Sequence, residues 1–395
     1  MLLAAPLAAE PVKLSPPTLA GLLDVRYTRT SQQRGWLNGG TNKLRYGGAD
    51  KDGNGSGDRN AHVFGVPQVS LLLDAALPAN TGIHVQTNFN ADTDSGPGSI
   101  GLIEAYARGA WTVELGRFEA KAGAFIPKIS REHTERAWST RHTLTPSAIG
   151  SWIAEEVRSF GTEGSWKRAI LEDGDLDGKL TAGLFSGNDG TGRILLYRGW
   201  SLHDYQAPLD ASLPAPRVGN GKPFSERDGR VGFYTRSEFS TLDGTVKAFS
   251  GYWDNNGDHD SSPAGTSIAD EIWNTQFWDG GVEFETESWT VIGHYMGGQS
   301  ASRACPRWPW QAWYALASHR RGPWTLSGRY DHFSVNRKKF ENGYAITTDL
   351  MREFGKHQQL ALEYVYLLAR PNIVTRPSSR KDQLFQMNYR LLWGS

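Results

Sequence analysis

Polar and apolar side chains alternate along almost the whole sequence, and the connections between the alternating stretches are sorted by length. In the last stretch, Phe385, Met387, Tyr389, Leu391 and Trp393 share one face, opposite Gln386, Asn388 and Arg390. Ile83, Val85 and Phe89 oppose His84, Gln86 and Asn88 in the same way, and Trp324, Leu326 and Tyr330 oppose Arg329 and Asp331. About sixteen period-two segments can be marked between Leu22 and Trp393, whereas helical periodicity is almost absent. After even-numbered segments the chain turns tightly, as in "PAN", "LDG", "RG" and "GK"; only "RAILEDGDLDG" is longer. After odd-numbered segments it tends to wander, notably over residues 31–60, 128–156, 188–229 and 254–271.

A soluble sandwich has no reason to sort its connections like this. An up-and-down barrel crossing a membrane does, with turns on one side and loops on the other. No run of about 18 apolar residues exists for a transmembrane helix, but a barrel strand needs only about 9–11 alternating residues. The fold expected is therefore all-β: a transmembrane antiparallel up-and-down barrel of about sixteen strands. Trp111, Trp166, Trp289, Trp308, Trp324 and Trp393 fall near expected strand ends, where interfacial belts sit. An even strand count and the aromatic last strand fit the bacterial outer membrane, with its lipid and lipopolysaccharide as surroundings. At the start, "MLLAAPLAAEP" reads as the remnant of a signal peptide over 1–9, followed by a periplasmic segment at 10–20 and the barrel domain at 21–395.

Lys plus Arg equals Asp plus Glu, 42 each, which removes any global attraction to nucleic acid. The single cysteine, Cys305, excludes an intramolecular disulfide and a Cys-based metal cluster. No cofactor is implied.

A barrel of this width cannot fill its own lumen with wall side chains, so water or an inserted segment must. The stretch "FIPKISREHTERAWSTRH", Phe125 to His142, breaks the alternation and crowds both signs of charge into one place. It opens the third long loop, 128–156, which is expected to fold inward as a constriction. Lys128, Arg131, Glu132, Glu135, Arg136 and Arg141 from the loop, with Lys121 and Arg158 from the adjoining wall, are the candidate selectivity residues. Arg230, Arg236, Glu283, Glu285, Arg329 and Asp331 are candidate pore-wall residues. The alternative is that these charges pair with one another and only fix the loop to the barrel.

"KAGAFIPKIS", "TLTPSAIGSWIAEEVRSFG" and "GLFSGND" together give the chain a resemblance to outer-membrane porins related to the phosphate-selective porin O/P family. The resemblance is nearer still to proteobacterial porin-like proteins sharing the first two motifs. It implies a sixteen-stranded passive channel for small hydrophilic solutes or ions, assembled as a homotrimer, and not an enzyme. Phosphate selectivity does not follow, because acids interleave with the bases here: Glu132 beside Arg131 and Glu135 beside Arg136. An anionic or zwitterionic solute would fit only if the loop's acids are consumed by pairing.

Asp50, Asp52, Asn54, Ser56 and Asp58 are spaced like the start of a calcium loop, but Ala61 stands at the twelfth position and no helices flank it. A solvated surface loop is the plainer reading. A lipase- or acylase-like barrel enzyme would need a serine with a nearby histidine on the outward rim; His294, His319 and His332 lie near serines, but G-x-S-x-G is absent. A soluble carbohydrate-binding β protein is the remaining alternative, with the tryptophans as stacking platforms.

Overall fold

The computed structural model describes residues 16–30, 34–40, 42–47, 62–90, 99–170, 176–215, 219–335, 341–370 and 380–394. The stretch read as a signal remnant and the candidate calcium loop lie outside them. The first half of the sheet contains β1 (Thr18–Thr30), β2 (His62–Leu77), β3 (Thr81–Asn90), β4 (Ser99–Val113) and β5 (Gly116–Phe125). It continues with β6 (Ser159–Ala169), β7 (Leu176–Ser186) and β8 (Gly232–Thr241). The second half contains β9 (Val246–Asp254), β10 (Trp273–Glu285), β11 (Trp289–Ser302) and β12 (Trp308–Arg321). It ends with β13 (Trp324–Val335), β14 (Glu341–Phe354), β15 (Gln358–Arg370) and β16 (Arg380–Trp393). Each strand pairs antiparallel with its sequence neighbours, and β1 pairs with β16, so the sixteen strands close into a barrel without an edge. β1 already starts within the stretch read as a periplasmic segment.

The outer wall exposes large apolar side chains strand after strand: Leu71 on β2, Val282 on β10, Leu326 on β13 and Tyr389 on β16. In water such a surface would aggregate; in hydrocarbon it is required, and closure pairs the strand backbones internally. This is the fold of transmembrane barrels in the bacterial outer membrane. At the turn end, Trp111 and Trp166 donate their indole N–H groups to the carbonyls of Ala79 and Leu115 at 3.1 and 3.0 Å. The rings face the apolar side while their N–H groups satisfy turn carbonyls, the division expected of an interfacial belt.

The turns follow local rules. In the link between β8 and β9, Asp243 accepts from the Thr241 hydroxyl at 2.6 Å and the Thr245 amide at 3.0 Å. Gly244 then takes a φ of 72°, which a side chain would resist.

The lumen is not lined by polar groups alone. The 126–158 segment leaves β5 at Ile126, crosses the interior and carries α1 (Ala148–Glu156), all of whose residues are buried. The Ser147 hydroxyl caps this helix by accepting from the Gly150 amide. The 187–231 segment also turns inward and carries α2 (Arg193–Arg198). A third insertion comes from residues 34–47, where Leu44 bridges to Leu202. Trp152 of α1 packs edge-on against Trp310, Phe277 and Trp200, at 4.9, 5.3 and 6.0 Å between ring centroids. The inward faces of β12 and β13 supply Ala312, Tyr314, Leu316 and Phe333 to the same apolar cluster.

Candidate functional site

The barrel interior has two unlike parts. On the side of β8–β16, the 126–158 segment is bound to the wall by charge pairs, several of them buried. Arg329 on β13 meets Glu132 and Asp331, both at 2.8 Å, and also donates to the carbonyls of Thr145 and Pro146. Glu363 on β15 accepts the Leu144 and Thr145 amides at 2.6 and 3.0 Å. Arg131 reaches Glu283 on β10 at 2.8 Å and Glu238 on β8 at 2.5 Å. Arg141 meets Glu285 at 2.6 Å, and Lys247 on β9 bridges Glu283 and Glu285 at 2.9 and 3.2 Å.

Most residues singled out from the sequence are therefore brought together, but in pairs. Arg236 is held by Asp279 at 3.0 Å and Arg136 donates to the Trp393 carbonyl at 2.6 Å. Glu135 is half exposed, 3.8 Å from Arg141. Arg158 is buried beneath the 187–231 segment, where it donates to the Ala207 carbonyl at 2.6 Å. Arg230 precedes β8 and pairs with Asp258 in the following loop at 2.6 Å, above the wall. The acids Glu155 and Glu156 at the end of α1 are buried. Glu155 accepts the Trp36 indole N–H, while Glu156 accepts the Ile194 and Leu195 amides at the start of α2.

On the other side, against β2–β7 at the turn end, lies a cavity of about 680 Å³. Its charged lining is Asp74, Arg108, Arg117, Glu119, Lys121, Glu163 and Lys179 from the wall, and Lys128 from the start of the inserted segment. Lys121 pairs with Glu163 at 3.1 Å, Lys179 with Glu119 at 2.9 Å, and Arg108 with Asp74 at 2.7 Å. Lys128 is exposed to the cavity and has no ion-pair partner among the described residues. Five bases against three acids leave this space positive, and low-dielectric walls strengthen that field on anything inside.

Sequence reasoning named Lys121 and Lys128 but missed Arg108, Arg117 and Lys179. The signal was present: Arg117 and Lys179 lie near the starts of β5 and β7, within reach of the turns that precede them, and Arg108 sits on the polar face of β4 beside the same turns.

At the loop end, Asp189, Glu226 and Asp228 converge. Burial first, and then Glu226 and Asp228, pushes Asp189 up to about 7. Since folding favours the neutral acid, ionising it removes stability as pH rises from the ordinary aspartate range through about 7. Heat conversion of the folded protein on a gel should therefore need a lower temperature at pH 8 than at pH 5. Asp189→Asn, which keeps an acceptor for the Arg227 and Asp228 amides, should narrow that gap by a few degrees. An unchanged gap would refute the assignment.

No family model matches the chain, and no curated protein matches it. Among solved structures, the outer membrane channel DcaP of Acinetobacter baumannii aligns with a TM-score of 0.58 at 10% identity, covering 95% of this chain and 97% of that one. An anion-selective porin from Comamonas acidovorans gives 0.56 at 11% identity, over 96% and 99%. The trimer form of OmpT, an outer membrane protein of Vibrio cholerae, gives 0.52 at 10% identity, over 96% and 100%. At these identities the shared property is the fold.

Proposed function

We propose that the chain is an outer-membrane porin, a passive channel for small hydrophilic solutes that favours anions and assembles as a homotrimer. The observation that carries this reading is the distribution of charge. The acids Glu132, Glu238, Glu283 and Glu285 are taken up by Arg329, Arg131, Lys247 and Arg141, whereas Lys128 faces the cavity without an acid of its own. Paired charges cancel at a distance; an unpaired one in a narrow passage does not. Of the interleaved acids, which argued against phosphate selectivity, Glu132 thus acts as an anchor for the inserted segment, and the passage runs along the β2–β7 wall.

The trimer follows by likeness to the trimer form of OmpT. A homotrimer of such barrels buries part of the apolar outer wall between copies.

Purified protein in a planar bilayer should give stepwise ohmic conductance, in groups of three for a trimer. In a salt gradient the reversal potential should lie toward the anion. A cation-side potential would remove the anion preference, and absence of any steps would remove the channel. Hydrolysis of phospholipid by the detergent-solubilised protein would favour the barrel-enzyme reading instead.

A further inference from the structure

The turn-side cavity is larger than passage of a simple ion requires, and its charges are arranged rather than merely plentiful. At about 680 Å³ it falls within the range of small-molecule sites. Each of its acids is already occupied. Asp74 accepts from Arg108 at 2.7 Å and lies 3.0 Å from the His84 ring nitrogen. Glu119 is held by Lys179 and Arg117 at 2.9 and 3.0 Å, and Glu163 by Lys121 at 3.1 Å and the Tyr234 hydroxyl at 2.6 Å. Arg117, sharing Glu119, is more than half exposed at the turn, where water and salt screen it. The deep end of the cavity is thus left with one uncompensated charge, that of Lys128.

We propose that this cavity is a binding subsite for a small organic monoanion, with the Lys128 ammonium taking its carboxylate or sulfonate. One negative charge neutralises Lys128 and forms a charge-assisted hydrogen bond. A second negative charge on the solute would face Glu163, Glu119 or Asp74, whose bases are already committed, and would be repelled. The hydroxyls of Thr18 and Ser165 and the side chain of Tyr106, also in the lining, offer contacts to a neutral polar body. The inference rests on the channel reading for the route by which the solute arrives, and its test separates the two.

The probe is gluconate, a hydrophilic monoanion, added to single channels of the full-length protein conducting KCl, with succinate and inorganic phosphate as multiply charged comparisons. Gluconate should reduce the current saturably, at a lower half-blocking concentration than either comparison. Lys128→Gln, a change at an exposed side chain, should raise that concentration roughly tenfold, in channels that still open in steps but with a weaker anion preference, and Lys128→Arg should restore block. Equal block in Lys128→Gln would overturn the assignment of Lys128. Tighter block by succinate or phosphate would overturn the monoanion class. If no channels form, saturation-transfer NMR of gluconate with the detergent-solubilised protein decides alone: a signal lost in Lys128→Gln upholds the subsite while the channel reading falls, and no signal in wild type overturns the subsite.

Discussion

Arg329→Ala is expected to destabilise the folded protein by roughly 3–5 kcal/mol, because it strands two buried carboxylates at once. The guanidinium lies wholly inside the barrel and gathers Glu132, Asp331, the Thr143 hydroxyl and the carbonyls of Thr145 and Pro146. Glu132 in turn accepts the Ser147 amide and Asp331 the Ala148 amide, so the same knot sets the first turn of α1. Without the arginine, both acids stay buried and lose their ion-pair partner among the described residues. Arg329→Lys restores the charge but not the planar fork and should recover only part of the loss. Heat conversion followed on a gel reads the effect; a variant as heat-resistant as the parent would show that the knot contributes little.

Trp152→Ala should cost a similar amount, roughly 3–5 kcal/mol, by a different route. Its ring is 2% exposed and touches three other aromatic rings, so truncation leaves a void between α1 and the wall rather than an unpaired charge. It also removes the indole donor at 2.8 Å from Glu156, which caps α2. The backbone ladders of the barrel do not depend on this ring. The loss should therefore appear in the inserted segments: faster proteolysis within 126–158, larger conductance and noisier open current, with the barrel still migrating as folded. Unaltered cleavage and current would mean that the aromatic cluster does not hold the helix.

These two sites also show where sequence reading succeeds and where it stops. Strand identity was legible because period-two alternation is local, and β3, β13 and β16 sit where Ile83, Leu326 and Tyr389 place them. The end of β5 at Phe125 was legible because alternation fails there. Pairing was not. Arg131 and Glu283 are 152 positions apart, and Arg329 and Glu132 are 197 apart, so only closure of the barrel makes them neighbours. The second and third insertions were missed for a related reason. "RILLYRGWSL" reads as an ordinary loop until the inner face of β12 is seen to be apolar, with Trp310, Ala312, Tyr314 and Leu316 needing a partner. Apolar residues on both faces of "WPWQAWYAL" were the available sign, since a strand between lipid and water has one such face.

The hydrogen bond from Arg136 to the carbonyl of Trp393 joins residues 257 positions apart. Among the anchors of the inserted segment, Glu238 and Glu283 stand on β8 and β10, whereas Glu363 and Trp393 belong to the last two strands. The segment therefore cannot complete its attachments until the chain is almost finished and β16 has met β1. In kinetic terms, the inserted segment is written early and its last attachments wait for the final strands.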